Sequence, residues 1–226
     1  MSDLKKDIKS VINNSLKGVL KESYVTQPKK FDLKTEALSE KVKLARQADF
    51  EVYVKTLNEV SAQLDTVDRD SANDKKSMFR GLKLDEVHNM NAAFLRALHF
   101  ENISDLSSSL TMDMISYLRL DRDFGGFDAW QKDFIACAMS SRDGYAITGY
   151  SVFLKRYLNV VIDTESLNVP VGFIPVISLD VAEGAYFRDY LSDRKKYVSR
   201  MMKEFNWDVI EKRFDRIEKS KKNLTV

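Results

Sequence analysis

The sequence predicts an α+β fold: an N-terminal antiparallel helical hairpin, then an α/β domain with a three-stranded antiparallel sheet flanked by helices, plus an N-terminal helical extension. Three observations predict it. Residues 33–63 and 83–101 carry apolar side chains at helical spacing. Three strand-like runs follow, at residues 144–150, 154–162 and 173–179. The last run stops at Asp180, after which Tyr186, Phe187 and Tyr190 take up a helical pattern, so a buried strand hands over to a helix there.

In chain order, residues 3–21 place Leu4, Ile8, Val11, Ile12, Val19 and Leu20 at helical spacing among lysines, an amphipathic helix able to pack on its own domain or dock on another chain. It contains Asp3, Asp7 and Glu22 and no Arg, which does not match a transit peptide, and it lacks the apolar core of a secretory signal. Pro28 marks a linker at residues 24–32. The hairpin's first helix carries Leu38, Val42, Ala45, Phe50, Tyr53, Leu57 and Val60 near one face, and a polar loop at residues 65–77 leads to its second arm. A helix is predicted over 103–118, then the three strands as a sequential meander, then a solvated basic tail at 213–222. The domain division is 1–30, 31–101 and 102–226.

Composition narrows the class. With 226 residues, 44% hydrophobic and 11% aromatic, the chain can bury a real core. Its apolar runs fall well short of the roughly 20 residues of a membrane helix, which predicts a soluble protein that is not secreted. The 36 Lys and Arg nearly balance 34 Asp and Glu, so no global field calls for nucleic acid or an anionic membrane. The single cysteine, Cys137, excludes an intramolecular disulfide, and its apolar neighbours predict a buried, inert thiol in a reducing compartment.

The segment Asp180-Val181-Ala182-Glu183-Gly184-Ala185-Tyr186, followed by Asn206-Trp207-Asp208-Val209, resembles the DVWEHAY and NW-x-V signatures of the iron/manganese superoxide dismutases. Residues 52–58 resemble that family's TYVDNLN segment, Asn91-Ala92-Ala93 its NAA, Phe124-Gly125-Gly126-Phe127 its FGSF, and Gly144-Tyr145 its Gly-Trp. The resemblance covers residues 31–214. It implies the dismutase fold and a metal held by three His and one Asp. Of those ligands only Asp180 is kept, the His positions falling on Ala45, Leu98 and Gly184, with His99 one residue away from the second; Tyr53 matches the gateway Tyr.

The chain has two His in total, so the family's three-His centre cannot be assembled. His88 and His99 are separated by about 16 Å of helical rise, while a metal needs each nitrogen at about 2.0 to 2.1 Å. Filling the vacated space requires an inward shift of a helix or the side chain of Arg96. Asp180 and Glu183 have the spacing of a capping box, an account needing no metal. No nucleophile elbow, phosphate loop or HExxH is present.

These readings predict a degenerate family member. The expectation is a pseudoenzyme with no catalytic residue, no metal and no cofactor: a structural or assembly protein in a virion-type particle or the cytoplasm. Its contacts would be with protein partners, through Leu4, Ile8, Val11, Ile12, Glu183 and Phe187, and any family-type homodimer would be weak or altered. Two alternatives stand beside it: a superoxide dismutase with a rebuilt metal site, and a ribosome- or RNA-associated dismutase-like subunit.

Overall fold

The computed structural model describes residues 26–165 and 167–224. Leu4, Ile8, Val11 and Ile12 lie outside them, and with them the N-terminal helix. The described chain holds α1 (Glu40–Thr66), α2 (Met78–Ile103), α3 (Ile115–Phe124), α4 (Phe127–Ser140), β1 (Tyr145–Ser151), β2 (Arg156–Ile162), β3 (Phe173–Asp180), α5 (Glu183–Tyr190), α6 (Arg194–Lys203) and α7 (Trp207–Ser220). This is the expected α+β architecture. Among the described residues no helix is long and apolar enough to cross a membrane.

Helix starts follow local chemistry. Ser39 accepts from the Val42 amide, Ser77 from Arg80 and Asn206 from Val209, each satisfying a first-turn N–H that has no partner inside its helix. The predicted 103–118 helix is displaced to Ile115–Phe124, because residues 104–114 are held as a loop against α7, where Ser108 pairs with Asn206. Gly125 ends α3 at φ 76°, the left-handed turn that glycine adopts without strain.

The sheet order is β2-β1-β3, not the sequential meander. Ten residues separate β2 from β3, enough for the chain to cross to the far side of β1 rather than turn back on β2. β1 is thereby the central strand, and Tyr145 pairs with Ile162 on one side and with Asp180 on the other. α2 covers one sheet face, where Leu95 packs with Tyr145, Ile147 and Ile162. α4 covers the other, where Trp130 donates to Thr148 Oγ1 at 2.9 Å.

The basic tail is also corrected. Residues 213–220 continue α7, with Phe214 and Ile217 in the core and Arg213 buried. Arg213 donates to Asn102 Oδ1, to the carbonyls of Val176 (2.9 Å) and Leu98 (3.2 Å), and to Glu101 Oε2 (2.9 Å). Cys137 is half-buried, and burial followed by nearby Asp133 pushes its thiol up to about 11.

Candidate active site around Asp180

β3 ends by carrying Asp180 into the interior between the helical hairpin and the sheet, where its side chain is 1% exposed. The apolar stripe of α1 runs Val42, Arg46, Phe50, Val54, Leu57, so its helical repeat puts one charged residue on the buried side, facing Asp180. Arg46 Nη2 donates to Asp180 Oδ2, and its Nη1 donates to Asp49 Oδ2 at 3.0 Å. From α2, Arg96 brings Nε to 4.0 Å from Asp180 Oδ2 and Nη2 to 3.5 Å from Glu165 Oε1 in the β2–β3 loop. The Arg96 guanidinium lies over the Tyr53 ring, 4.7 Å from its centre, and Tyr53 Oη donates to Glu165 at 3.4 Å.

Burial alone would raise the Asp180 carboxyl, but Arg46 and then Arg96 outweigh it and hold it below the usual range. Burial alone would lower both guanidiniums; Asp180 chiefly offsets this at Arg46, Tyr145 and then Asp180 at Arg96, and both stay protonated. His99 is different. Burial pushes it down to about 4, so it is neutral, and its Nδ1 lies 3.2 Å from the Ser178 carbonyl, which requires the proton on Nδ1 and leaves Nε2 with a lone pair.

Several expected placements change. Asp180 does not cap α5: Ala182 is the cap residue, Asp180 Oδ1 accepts from the Ala182 amide at 3.1 Å, and the Glu183 amide donates to Asp143 Oδ1 at 2.9 Å. The other carboxylate oxygen, Oδ2, is bonded by Arg46 from α1. Ala45 is exposed rather than part of a dry core, the next residue being the one that points inward. Leu98 is buried, yet the α2 side chains that reach the Asp180 region are Arg96 and His99. The space for which an inward helix shift or the side chain of Arg96 was expected is taken by Arg46, with Arg96 beside it. Glu183 and Phe187 are both exposed and line a groove between α1 and α5 with Val42, Ala45, Gly184 and Arg188. Arg46 was missed by the sequence reading, although an arginine within an apolar helical stripe was a visible signal.

A three-His, one-Asp metal centre does not fit these residues. Among the described residues no three His, Cys, Asp or Glu side chains come together as a possible metal site, and the one carboxylate at the centre is taken by Arg46. The cluster is instead built on two buried arginines, Arg46 and Arg96, paired with Asp180, Asp49 and Glu165.

The pattern of the family described as "Iron/manganese superoxide dismutases, C-terminal domain" matches residues 116–213. The chain is 31% identical to "Superoxide dismutase [Fe]" of Aquifex pyrophilus over 177 residues, 77% of this chain and 82% of that protein. It is 30% identical to the protein of the same name from Aquifex aeolicus over the same shares, and 29% identical to "Superoxide dismutase [Fe]" of Cupriavidus metallidurans over 71% of this chain and 80% of that one. These names overturn the expectation of a non-enzymatic, metal-free structural or virion protein: they are names of enzymes, and none of them points to a structural role. With the fold, the strand-to-helix junction at Asp180 and this similarity agreeing along most of its length, the chain belongs to the iron/manganese superoxide dismutase family.

Proposed function

We propose that the protein is a superoxide dismutase acting on superoxide at the buried cluster around Asp180. The observation that carries this reading is the similarity to superoxide dismutases across 82% of a relative's length. Support also comes from the two buried guanidiniums: superoxide is a small anion, and Arg46 and Arg96, although paired with Asp180, Asp49 and Glu165, are protonated donors in an interior where low dielectric strengthens their interaction with an anion. The relatives are named for iron or manganese, and the three-His, one-Asp ligand set is not what the described side chains at Asp180 present. In dismutation one superoxide passes its electron to a second, which takes up two protons (2 O2•− + 2 H+ → O2 + H2O2); what this chain's own residues supply is attraction from Arg96 and neutralisation of Asp180 by Arg46. The single cysteine supports placing this activity in a reducing, cytoplasmic-type compartment.

The test is superoxide decay after pulse radiolysis, using the full-length protein as isolated and after growth in iron- or manganese-supplemented medium. The expected result is decay faster than in buffer, slowed at least about tenfold in Arg96→Gln, about 1.4 kcal/mol of lost transition-state stabilisation. Decay equal to buffer in every preparation overturns the proposal.

A further inference from the structure

The apolar side chains that α2 leaves in the open follow the helical repeat. Leu84, Val87, Met90 and Phe94 are 54%, 44%, 48% and 53% exposed. Their steps of three, three and four residues put them in one stripe on the side of α2 turned away from the core. Scattered exposed apolar residues are ordinary, but a stripe of this kind marks a surface that another element covers. Glu101, seven residues beyond Phe94, lies on the same side of the helix.

The chain itself leads to this face. Before α1 the linker is tied to both arms of the hairpin: Lys29 Nζ pairs with Glu101 Oε1 at 3.0 Å, and Thr26 and Asn58 exchange two hydrogen bonds of 2.8 Å. Residues 1–25 therefore join the molecule at the hairpin. From Lys21 to Thr26 the chain can reach about 17 Å, at roughly 3.3 to 3.6 Å per residue. The sequence upstream carries the complement that the face lacks, with Leu4, Ile8, Val11, Ile12 and Val19 at helical spacing. At helical rise residues 3–21 extend about 28 Å, against about 15 Å from Leu84 to Phe94, so they are long enough to cover the stripe. Charge agrees. Lys5, Lys6, Lys9, Lys17 and Lys21 outnumber Asp3 and Asp7, and Glu51 and Asp65 are exposed on the same line of α1 as the tie at Asn58.

We propose that residues 3–21 of this same chain cover the outer face of α2, with their apolar stripe against Val87, Met90 and Phe94. The competing occupant is a second copy of the chain, and the tether decides between them. A segment held by a short linker acts at an effective concentration of millimolar order, whereas a separate chain gives up translational and rotational freedom to bind. The inference uses no property of the Asp180 cluster, so it stands or falls separately from the superoxide measurement.

The experiment uses the full-length protein and the methionine already in the stripe. Hydrogen peroxide oxidises an accessible Met to the sulfoxide, and peptide mass spectrometry follows Met90 against Met112, which is 76% exposed in the loop before α3. The expected result is that Met90 oxidises at least about fivefold more slowly than Met112, with the same ratio after about a hundredfold dilution of the protein. In Ile8→Glu/Ile12→Glu, which puts charge into the apolar stripe, Met90 should come within about twofold of Met112. Should that variant fail to fold, Val11→Asp decides by the same ratio. Equal rates at the two methionines in the parent, protection of Met90 that survives the substitutions, or protection that fades on dilution, which would make a second copy the cover, overturns the proposal.

Discussion

Arg46 Nη1 lies 3.0 Å from the point where a Cβ on Gly184 would stand, so the missing side chain on α5 and the guanidinium on α1 share one space. The arginine is the flexible partner of the two, which sets the first prediction. Gly184→Ala should stay within about 1 kcal/mol of the parent, because the helix-propensity gain of up to about 1 kcal/mol opposes a displacement of a few tenths of an ångström. Gly184→Leu should cost more and loosen the Arg46–Asp180 pair. Chemical denaturation of both variants checks this, and equal stability of the two would show that Gly184 leaves no room that Arg46 needs.

Arg46→Leu leaves the Asp180 carboxylate buried with Arg96 only at 4.0 Å. Removing one member of a buried ion pair costs about 3 to 5 kcal/mol. The double variant Arg46→Leu/Asp180→Asn should be markedly more stable than the sum of the single losses implies, since the stranded charge is gone. Strictly additive losses in a denaturant series would contradict the pairing.

Arg213 makes four hydrogen bonds from inside the core, two of them to main-chain carbonyls. Lysine cannot reproduce that planar fork. Arg213→Lys should therefore lower stability by about 1 to 3 kcal/mol, whereas Lys222→Ala, on the adjoining 3-10 turn, should change it by less than about 0.5 kcal/mol. Similar melting temperatures for the two variants would restore the reading of residues 213–222 as a uniformly solvated basic tail.

The acid limb of stability should depend on Asp123. Burial alone would raise this carboxyl, but hydrogen bonds from Arg122 Nε (2.6 Å) and the Tyr157 amide (2.7 Å) outweigh it and hold it below the usual range. With the folded value below the unfolded value of about 3.9, its stabilisation is complete above that pH and is lost as pH falls through the folded value. Asp123→Asn should flatten the melting-temperature profile below about pH 4 relative to the parent. Parallel profiles for parent and variant would show that Asp123 is not the group responsible.

Cys137, its thiol pushed up to about 11, should resist alkylation at neutral pH. Reaction with iodoacetamide should be slow at pH 7.5 and accelerate steadily toward pH 10. A rapid reaction at pH 7.5 would mean that the thiol is activated rather than suppressed.

The sequence by itself determined the helical hairpin, the three strands and the handover at Asp180, because those rest on periodicity and on caps such as Ser39, Ser77 and Asn206, which act within a few residues of themselves. It also determined that three His ligands could not be assembled, since that needs only a count. Two things were decided by tertiary structure alone. The sheet order depended on which side of β1 the crossing chain took, and a ten-residue connection permits either. The fate of the arginines depended on what lay across the fold: on an isolated helix, Arg46 and Arg213 can extend their charges into water, and only the carboxylate of Asp180 on β3 and the carbonyls of Val176 and Leu98 make the interior the better solvent for them.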